Sequence, residues 1–168
     1  MPDEMLDLVD QNDYVIKQKS RSEIYDKQLS NFRVVNAFLI NEKGKLWIPR
    51  RSQNKRIFPR CLDASMGGHV TAGESYDDAF KRELLEELNI DVTKTRYDMV
   101  GKLTPHEHQT SAFMQVYLLH VNEAPAYNPN DFIEFFWLTP QETIDYIEAG
   151  NKSKDDLPKI IKELQHLF

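Results

Sequence analysis

The chain has 168 residues, of which 27 are acidic, 21 are basic and one is a cysteine. This length predicts a single domain over 1–168 with a proper core. The net charge of −6 argues against binding to nucleic-acid polymers, because proteins that bind them are usually basic. The lone Cys61 excludes an internal disulfide and indicates a reducing compartment. With neither a signal peptide nor the roughly 20 apolar residues of a membrane span, we expect a soluble cytoplasmic protein with no membrane partner.

Residues 1–30 predict an extension that precedes the main part of the domain. Apolar segments flank a turn-rich Asp-Gln-Asn-Asp sequence, which predicts a β-hairpin over 5–18. Ser20 and Glu23 have the spacing of a capping box, which predicts a short helix over 20–29.

The first strands of the main domain follow this extension. The near-continuous apolar run 33–40 predicts a strand buried on both faces, and 45–50 predicts its hairpin partner. Arg50 and Arg51 mark the end of that partner. Taken alone, such a pair is usually solvated at a sheet edge. Ahead of an acidic helix, the planar guanidinium groups also suit the oxygens of a diphosphate, and the sequence leaves both interpretations open.

A polar, basic loop over 52–60 leads to a predicted short strand over 61–66 and then to Gly67 and Gly68. Paired glycines allow the backbone to turn sharply and to approach a ligand closely. His69 follows them and is a hypothetical contact for metal or phosphate, although a lone loop histidine is more often a surface residue.

The next stretch predicts a helix that begins after Ser75 and ends at Asn89. Ser75 is a favourable N-cap, and Asn89 tolerates the left-handed conformation of a C-terminal cap. The polar face of this helix carries Glu83, Glu86 and Glu87, which lie three and four residues apart. They therefore project from one side over about one turn.

Like charges at this spacing destabilise a helix by a few tenths of a kcal/mol per pair. The neighbouring positions are leucines, so no lysine or arginine there relieves the repulsion. A divalent cation such as Mg²⁺ or Mn²⁺ would relieve it, because both ions suit carboxylate oxygens. We expect the preceding Arg82 to anchor one carboxylate through a bidentate contact. The alternative is a solvated acidic face without an ion.

Strands and helices complete the chain. We predict a strand over 95–103, a polar loop over 104–109, a strand over 111–121, a Pro/Asn-rich loop over 122–131, a strand over 132–138, and helices over 140–149 and 153–167. Glu107, in the polar loop, is a hypothetical metal ligand or catalytic base. The apolar stripe of the last helix predicts a core contact, with a homodimer contact as the alternative. These elements together predict α/β or α+β layering.

The stretch 68–90 resembles the Nudix box, whose pattern is Gly, five residues, Glu, seven residues, Arg-Glu-apolar-any-Glu-Glu-any-Gly-apolar. The matching residues are Gly68, Glu74, Arg82, Glu83, Leu84, Glu86, Glu87 and Ile90. Asn89 stands where the family has glycine, and asparagine can adopt the same backbone conformation. On this motif the sequence is identified as a member of the Nudix superfamily.

The resemblance implies a Nudix α/β/α sandwich with a mixed β-sheet. It also implies a Mg²⁺- or Mn²⁺-dependent hydrolase that cleaves a diphosphate linkage in a small, nucleoside-diphosphate-type substrate. The implied metal ligands are Glu83, Glu86 and Glu87. The implied catalytic residues are Glu86, Glu83 and Arg82, with Glu74 orienting the helix and its ligands.

Substrate contacts and the general base are less closely defined. The implied substrate-binding residues are Arg50, Arg51, Gly68 and Glu134, the last in a segment that resembles the family's C-terminal strand. The base is Glu86, Glu107 or an acidic residue near Asp131 and Glu134, and the sequence does not choose among them.

The N-terminal hairpin and the sequence Leu-Asp-Ala-Ser-Met-Gly-Gly-His resemble the isopentenyl-diphosphate isomerase branch of the superfamily. That isomerase needs a cysteine just before the Gly-His pair, where this chain has Gly67, and Cys61 lies too early. It also uses histidines ahead of the first core strand, and 25–32 contains none. We therefore expect isomerase-like ancestry with hydrolase-type catalytic residues. An isomerase-like enzyme and a non-catalytic nucleotide-binding module are the alternatives.

Overall fold

The computed structural model describes residues 3–168, so the first two residues of the predicted extension lie outside it. The strands are β1 (Met5–Val9), β2 (Val15–Ser20), β3 (Arg33–Ile40), β4 (Leu46–Arg51), β5 (Met66–His69), β6 (Tyr97–Leu103), β7 (Phe113–His120) and β8 (Phe132–Leu138). The helices are α1 (Arg21–Asp26), α2 (Tyr76–Leu88), α3 (Pro105–His108), α4 (Pro140–Glu148) and α5 (Asp156–Leu164). Short 3₁₀ turns cover Val92–Lys94 and Gln165–Leu167. Among the helices of the described residues, none has the length and apolar character needed to cross a bilayer.

Six of the strands form one mixed sheet in the order β6-β7-β3-β4-β8, with β5 paired to β3. The pair β3 and β7 is parallel, from Arg33 opposite Phe113 to Ile40 opposite His120. The other pairs in this sheet are antiparallel. The hairpin β1–β2 is a separate two-stranded antiparallel sheet.

Successive side chains of β3 point to opposite faces of the sheet, and each face carries its own core. Val35, Ala37 and Leu39 pack with the apolar residues of α2. Phe38 and Ile40 pack with the apolar residues of α4 and α5. The expected α/β/α sandwich with a mixed sheet is therefore confirmed.

The apolar stripe of α5 lies in the second of these cores. Leu167, the fifth predicted member, lies in the 3₁₀ turn after the helix and is 49% exposed. The other four, Leu157, Ile160, Ile161 and Leu164, are buried. They contact Phe38, Leu118 and other residues of the sheet's core cluster. The stripe is therefore a core contact, as predicted from the sequence.

The predicted N-terminal hairpin and helix are present as β1, β2 and α1. They form a third, smaller core through Leu6, Leu8, Ile24, Phe32 and Ala112. The extension is thus packed against the main sheet by its own apolar cluster.

Two local predictions are wrong. The segment 61–65 is not a regular strand, and Gly67 and Gly68 lie inside β5, paired with β3, instead of forming a turn. The reason for glycine here is close approach, because side chains from neighbouring elements fill the space beside both residues. The predicted loop 104–109 contains α3, whose N-cap is Thr104 and whose first residue is Pro105.

Candidate functional site

Both ends of the helix α2 have well-defined caps. The Ser75 hydroxyl accepts a hydrogen bond from the Asp78 amide at 3.1 Å, as expected of an N-cap. Asn89 ends the helix in the left-handed conformation with φ 54°, as predicted. The face that packs on the sheet consists of Tyr76, Ala79, Phe80, Leu84 and Leu88. The polar face therefore carries Arg82 and the three glutamates away from this core.

Arg82 is the centre of a hydrogen-bonded network at the start of this face. Its guanidinium donates to both carboxylate oxygens of Glu74, at 2.8 and 2.9 Å. It also donates to Glu83 Oε1 at 2.7 Å and to the His69 carbonyl at 3.0 Å. These contacts hold the pKa of Glu74 below its usual value and raise that of Arg82. Arg82 is therefore a fixed, permanently charged anchor for the helix and for the loop before it.

Glu83 packs directly on Gly68. A Cβ atom added at Gly68 would lie 2.3 Å from Cδ of Glu83, which is a severe overlap. The absence of a side chain at Gly68 thus lets the carboxylate lie against β5. Burial raises the pKa of Glu83, and the bond from Arg82 opposes that rise.

Glu87 lies one turn later, among further acidic side chains. Burial, followed by the neighbouring charges of Glu83, Asp63 and Asp131, raises the pKa of Glu87 well above its usual value, and Lys55 opposes this. Asp63 is buried and bonded to Arg51 at 2.9 Å, while Asp131 is bonded to Lys55 at 2.6 Å. We call Glu83, Glu87, Asp63 and Asp131 the carboxylate cluster. Its acidic groups outnumber the cations that contact them.

The chemistry of this cluster fits a hard divalent cation, because carboxylate oxygens are the ligands such ions prefer. Within residues 3–168, no three acidic, histidine or cysteine side chains already converge as a metal site. Arg82 Nη1 contacts Glu83 Oε1 at 2.7 Å and lies 3.6 Å from Glu86 Oε2. Glu86 is 59% exposed and therefore free to reorient. Ion binding would require local rearrangement of these side chains.

The two arginines at the end of β4 have different roles. Arg50 donates to Glu134 Oε1 at 2.5 Å and lies 5.7 Å from the Phe136 ring, on the side of the sheet that carries α4 and α5. Arg51 donates to Asp63 and to the carbonyls of Phe58 and Ile57 in the loop 52–60. Arg51 therefore fixes this loop and Asp63. The expected pair of diphosphate-binding arginines is not presented as two free guanidinium groups beside α2.

The two remaining candidates, His69 and Glu107, also lie beside other side chains of the protein. Nε2 of His69 forms a hydrogen bond with the Tyr25 hydroxyl at 2.9 Å, and Nδ1 of the same ring lies 3.2 Å from Glu4. The ring of His69 thus belongs to a contact with the N-terminal extension. Glu107 is exposed in α3, where its carboxylate lies 3.6 Å from His106.

Lys55 and Asp63 are site residues that were not predicted from the sequence. Asp131 was predicted only to lie near a hypothetical catalytic base. They lie far from α2 in the chain, and tertiary contacts bring them together. The Ser52 amide donates to the Asp131 carbonyl at 2.9 Å, which joins the loops 52–60 and 122–131 beside Glu87. A buried aspartate in an otherwise apolar segment was the one available signal for Asp63.

Comparison with known proteins identifies the same region. The model of the NUDIX domain matches residues 30–159. An uncharacterized Nudix hydrolase of Nostoc sp. strain PCC 7120 is 57% identical over 159 residues, covering 95% of this chain and 94% of that protein. The crystal structure of DR0079 from Deinococcus radiodurans superposes with a TM-score of 0.91 at 42% identity, covering 96% of this chain and 99% of the other.

The isomerase branch is also represented among the relatives. An isopentenyl-diphosphate Delta-isomerase of Paenarthrobacter aurescens is 24% identical over 152 residues, covering 86% of this chain and 81% of that protein. This similarity agrees with the isomerase-like features of the sequence. Because the chain is similar to both a hydrolase and an isomerase, the residues of the site must distinguish hydrolysis from isomerisation.

Proposed function

This chain belongs to the Nudix hydrolase family, and from that premise we propose that it is a Mg²⁺-dependent hydrolase of a small, nucleoside-diphosphate-type substrate. The observation that carries the proposal is the carboxylate cluster beside the Arg82 network. Fixed anchoring at Arg82 and an excess of negative charge around Glu87 suit a site that binds a cation and an anionic substrate together.

Glu83, Glu86 and Glu87 would hold the metal, with Mn²⁺ as a chemically similar substitute. A bound divalent cation neutralises diphosphate charge and lowers the pKa of bound water. Asp63 and Asp131 are close enough to Glu87 to shift its pKa, so they would shape the same site.

The other residues of the box would position these groups. Arg82 and Glu74 would orient α2, because each holds the other through two hydrogen bonds. Gly68 would allow the substrate and Glu83 to approach the backbone of β5. Glu86 is the most exposed of the three helix glutamates and is our preferred general base, since it is free to reach a water molecule.

The test is cleavage of nucleoside diphosphate derivatives, dinucleotides and isoprenoid diphosphates, with and without Mg²⁺, followed by chromatographic separation of the phosphorylated products. We expect turnover that requires the metal, and a loss of about 10²- to 10⁴-fold in kcat for Glu86→Gln. The matched control is Glu148→Gln, an equally conservative change at an exposed glutamate of α4. It should leave kcat unchanged.

Other outcomes would favour the two alternatives. Double-bond migration in an isoprenoid diphosphate, without cleavage, would identify an isomerase. Gly67 argues against that reading, because it stands at the position that matches the isomerase cysteine and carries no thiol. Tight nucleotide binding with no turnover on any substrate would instead identify a non-catalytic binding module.

A further inference from the structure

The N-terminal extension, residues 3–29, packs on the loop that precedes α2. Leu6 of β1 forms a β-bridge with Thr71, and the Ala72 amide donates to the Met5 carbonyl at 2.8 Å. The Gly73 amide donates to Asp7 Oδ2 at 2.9 Å. The edge of the hairpin is therefore bonded to three consecutive residues of the loop.

Asp7 is the side chain in this set of contacts, and it is built into the interface. It is only 4% exposed. Its second oxygen, Oδ1, accepts from the Gln18 side chain of β2 at 3.1 Å. The carboxylate thus joins both strands of the hairpin to the loop.

A second contact reaches the loop from α1. The Tyr25 hydroxyl lies 2.9 Å from Nε2 of His69, and Glu4 lies 3.2 Å from Nδ1. His69 is held by its ring while its carbonyl accepts a hydrogen bond from Arg82 at 3.0 Å.

Both contacts lead to Arg82. Gly73 is followed by Glu74, whose carboxylate takes two bonds from the Arg82 guanidinium. His69 supplies the third acceptor, and Glu83 is the fourth. The extension therefore fixes the two groups, the Glu74 carboxylate and the His69 carbonyl, that accept hydrogen bonds from Arg82 on the loop side.

We propose that residues 3–29 are a positioning clamp, in which Asp7 fixes the Gly73–Glu74 backbone so that Arg82 holds Glu83 in its place on β5. Asp7 is a positioning residue, because it acts through the loop and does not touch the carboxylates of the site. The family's domain model begins at residue 30, so the clamp adds a part of the molecule outside that domain to the site. The kinetic consequence, though not the structural one, rests on the proposed hydrolase function.

The experiment compares three variants of the full chain. Asp7→Ala removes the acceptor for the Gly73 amide, whereas Asp7→Asn keeps an oxygen at that position. Ile24→Val trims the small core of the extension, an apolar cluster that includes none of the residues 69–74, so it controls for a general loss of stability. All three are assayed well below their midpoints of thermal unfolding.

The first measurement is the exchange rate of the Arg82 Nε–H proton by NMR, which requires no substrate. We expect exchange about tenfold faster in Asp7→Ala and close to the wild-type rate in Asp7→Asn and Ile24→Val. An unchanged rate in Asp7→Ala, or an equal rise in Ile24→Val, would overturn the clamp even if the protein proves to have another activity.

The second measurement is steady-state kinetics on the substrate identified above. We expect kcat of Asp7→Ala to fall by about 10- to 100-fold with KM changed by less than about twofold, and Asp7→Asn to restore most of it. A loosened Arg82 with normal kcat would overturn the kinetic part of the proposal, because Asp7 would then position Arg82 without any effect on catalysis. Failure of every substrate would overturn the proposed function and leave the NMR result to decide the clamp.

Discussion

The two ends of the charged face of α2, which runs from Arg82 to Glu87, differ in how their charges are satisfied. At the start, Arg82, Glu74 and the loop 69–74 form a closed network in which each carboxylate and the guanidinium have short-range partners. At the end, Glu87 lies near three other carboxylates, and one lysine opposes their effect on it. The comparison indicates that the Arg82 network is built for rigidity, while the surroundings of Glu87 gain most from an added positive charge.

The largest expected effect comes from breaking the closed network. In Arg82→Lys the charge remains, but an ammonium cannot reproduce the bidentate contact with Glu74 together with the bonds to Glu83 and His69. We expect kcat to fall by about 100-fold with little change in KM. Arg56→Lys, in the loop 52–60, is the control, and an equal loss there would argue against a specific role for Arg82.

The next effect concerns Asp13, which stabilises the first residue of α2. Burial alone would raise the pKa of Asp13, but bonds from Lys102, Arg33 and Tyr76 outweigh burial and lower its pKa. A carboxyl with a lowered pKa stabilises the fold above its unfolded value, near pH 4, and this contribution disappears as pH falls through the folded value.

We therefore expect Asp13→Asn to lower the free energy of unfolding by about 2 kcal/mol at pH 7. Asparagine tolerates the left-handed backbone of this position, with φ 66°. Urea titrations between pH 7 and pH 3 should show a smaller loss on acidification in the variant than in the wild type. Parallel curves for the two proteins would contradict the assignment.

A pair of isosteric substitutions tests the comparison directly. Glu74→Gln removes a charge that Arg82 balances, and should lower the free energy of unfolding by about 1 kcal/mol. Glu87→Gln removes a charge that its neighbours repel, and should raise it by about 1 kcal/mol in metal-free protein. Chemical denaturation in EDTA measures both. Effects of the same sign would remove the distinction between the two ends.

The smallest effect is expected at the C-terminal cap. The Asn89 side chain donates to the Ala126 carbonyl, and the Asn128 amide donates to the Glu87 carbonyl at 2.8 Å, so the loop 122–131 is tied to the end of α2. Asn89→Gly keeps the left-handed cap and removes only the side-chain bond. We expect KM to rise about threefold and amide exchange to accelerate at 124–128. Unchanged exchange would show that the bond does not restrain the loop.

The sequence was most informative where the determinants are local. The caps Ser75 and Asn89 and the 3–4 spacing of the glutamates depend on neighbours within a few residues, and the caps are where they were predicted. The surroundings of Glu87 could not be predicted in this way. The bond between Lys55 and Asp131 joins residues 76 positions apart, and it depends on how β4 pairs with β8.

The register of β4 against β8 was equally hard to predict. Alternation along a strand already places Arg50 and Arg51 on opposite faces of the sheet. The pairing also shifts register between them, so that Arg50 pairs with Glu134 and Arg51 with Phe132. A bulge of this kind alters which side chains reach a site, and nothing in the local sequence specifies it.

The two adjacent glycines of β5 limit how this protein can evolve. Gly68 leaves room for Glu83 on one face of the sheet, and Gly67 leaves room for Asn36 on the other. A side chain at position 67 would require the Asn36 side chain to move, because its Cβ atom would lie 2.9 Å from Asn36 Oδ1. A side chain at position 68 would instead displace Glu83, because its Cβ atom would lie 2.3 Å from Glu83 Cδ. A new nucleophile is therefore more readily accommodated at position 67 than at position 68.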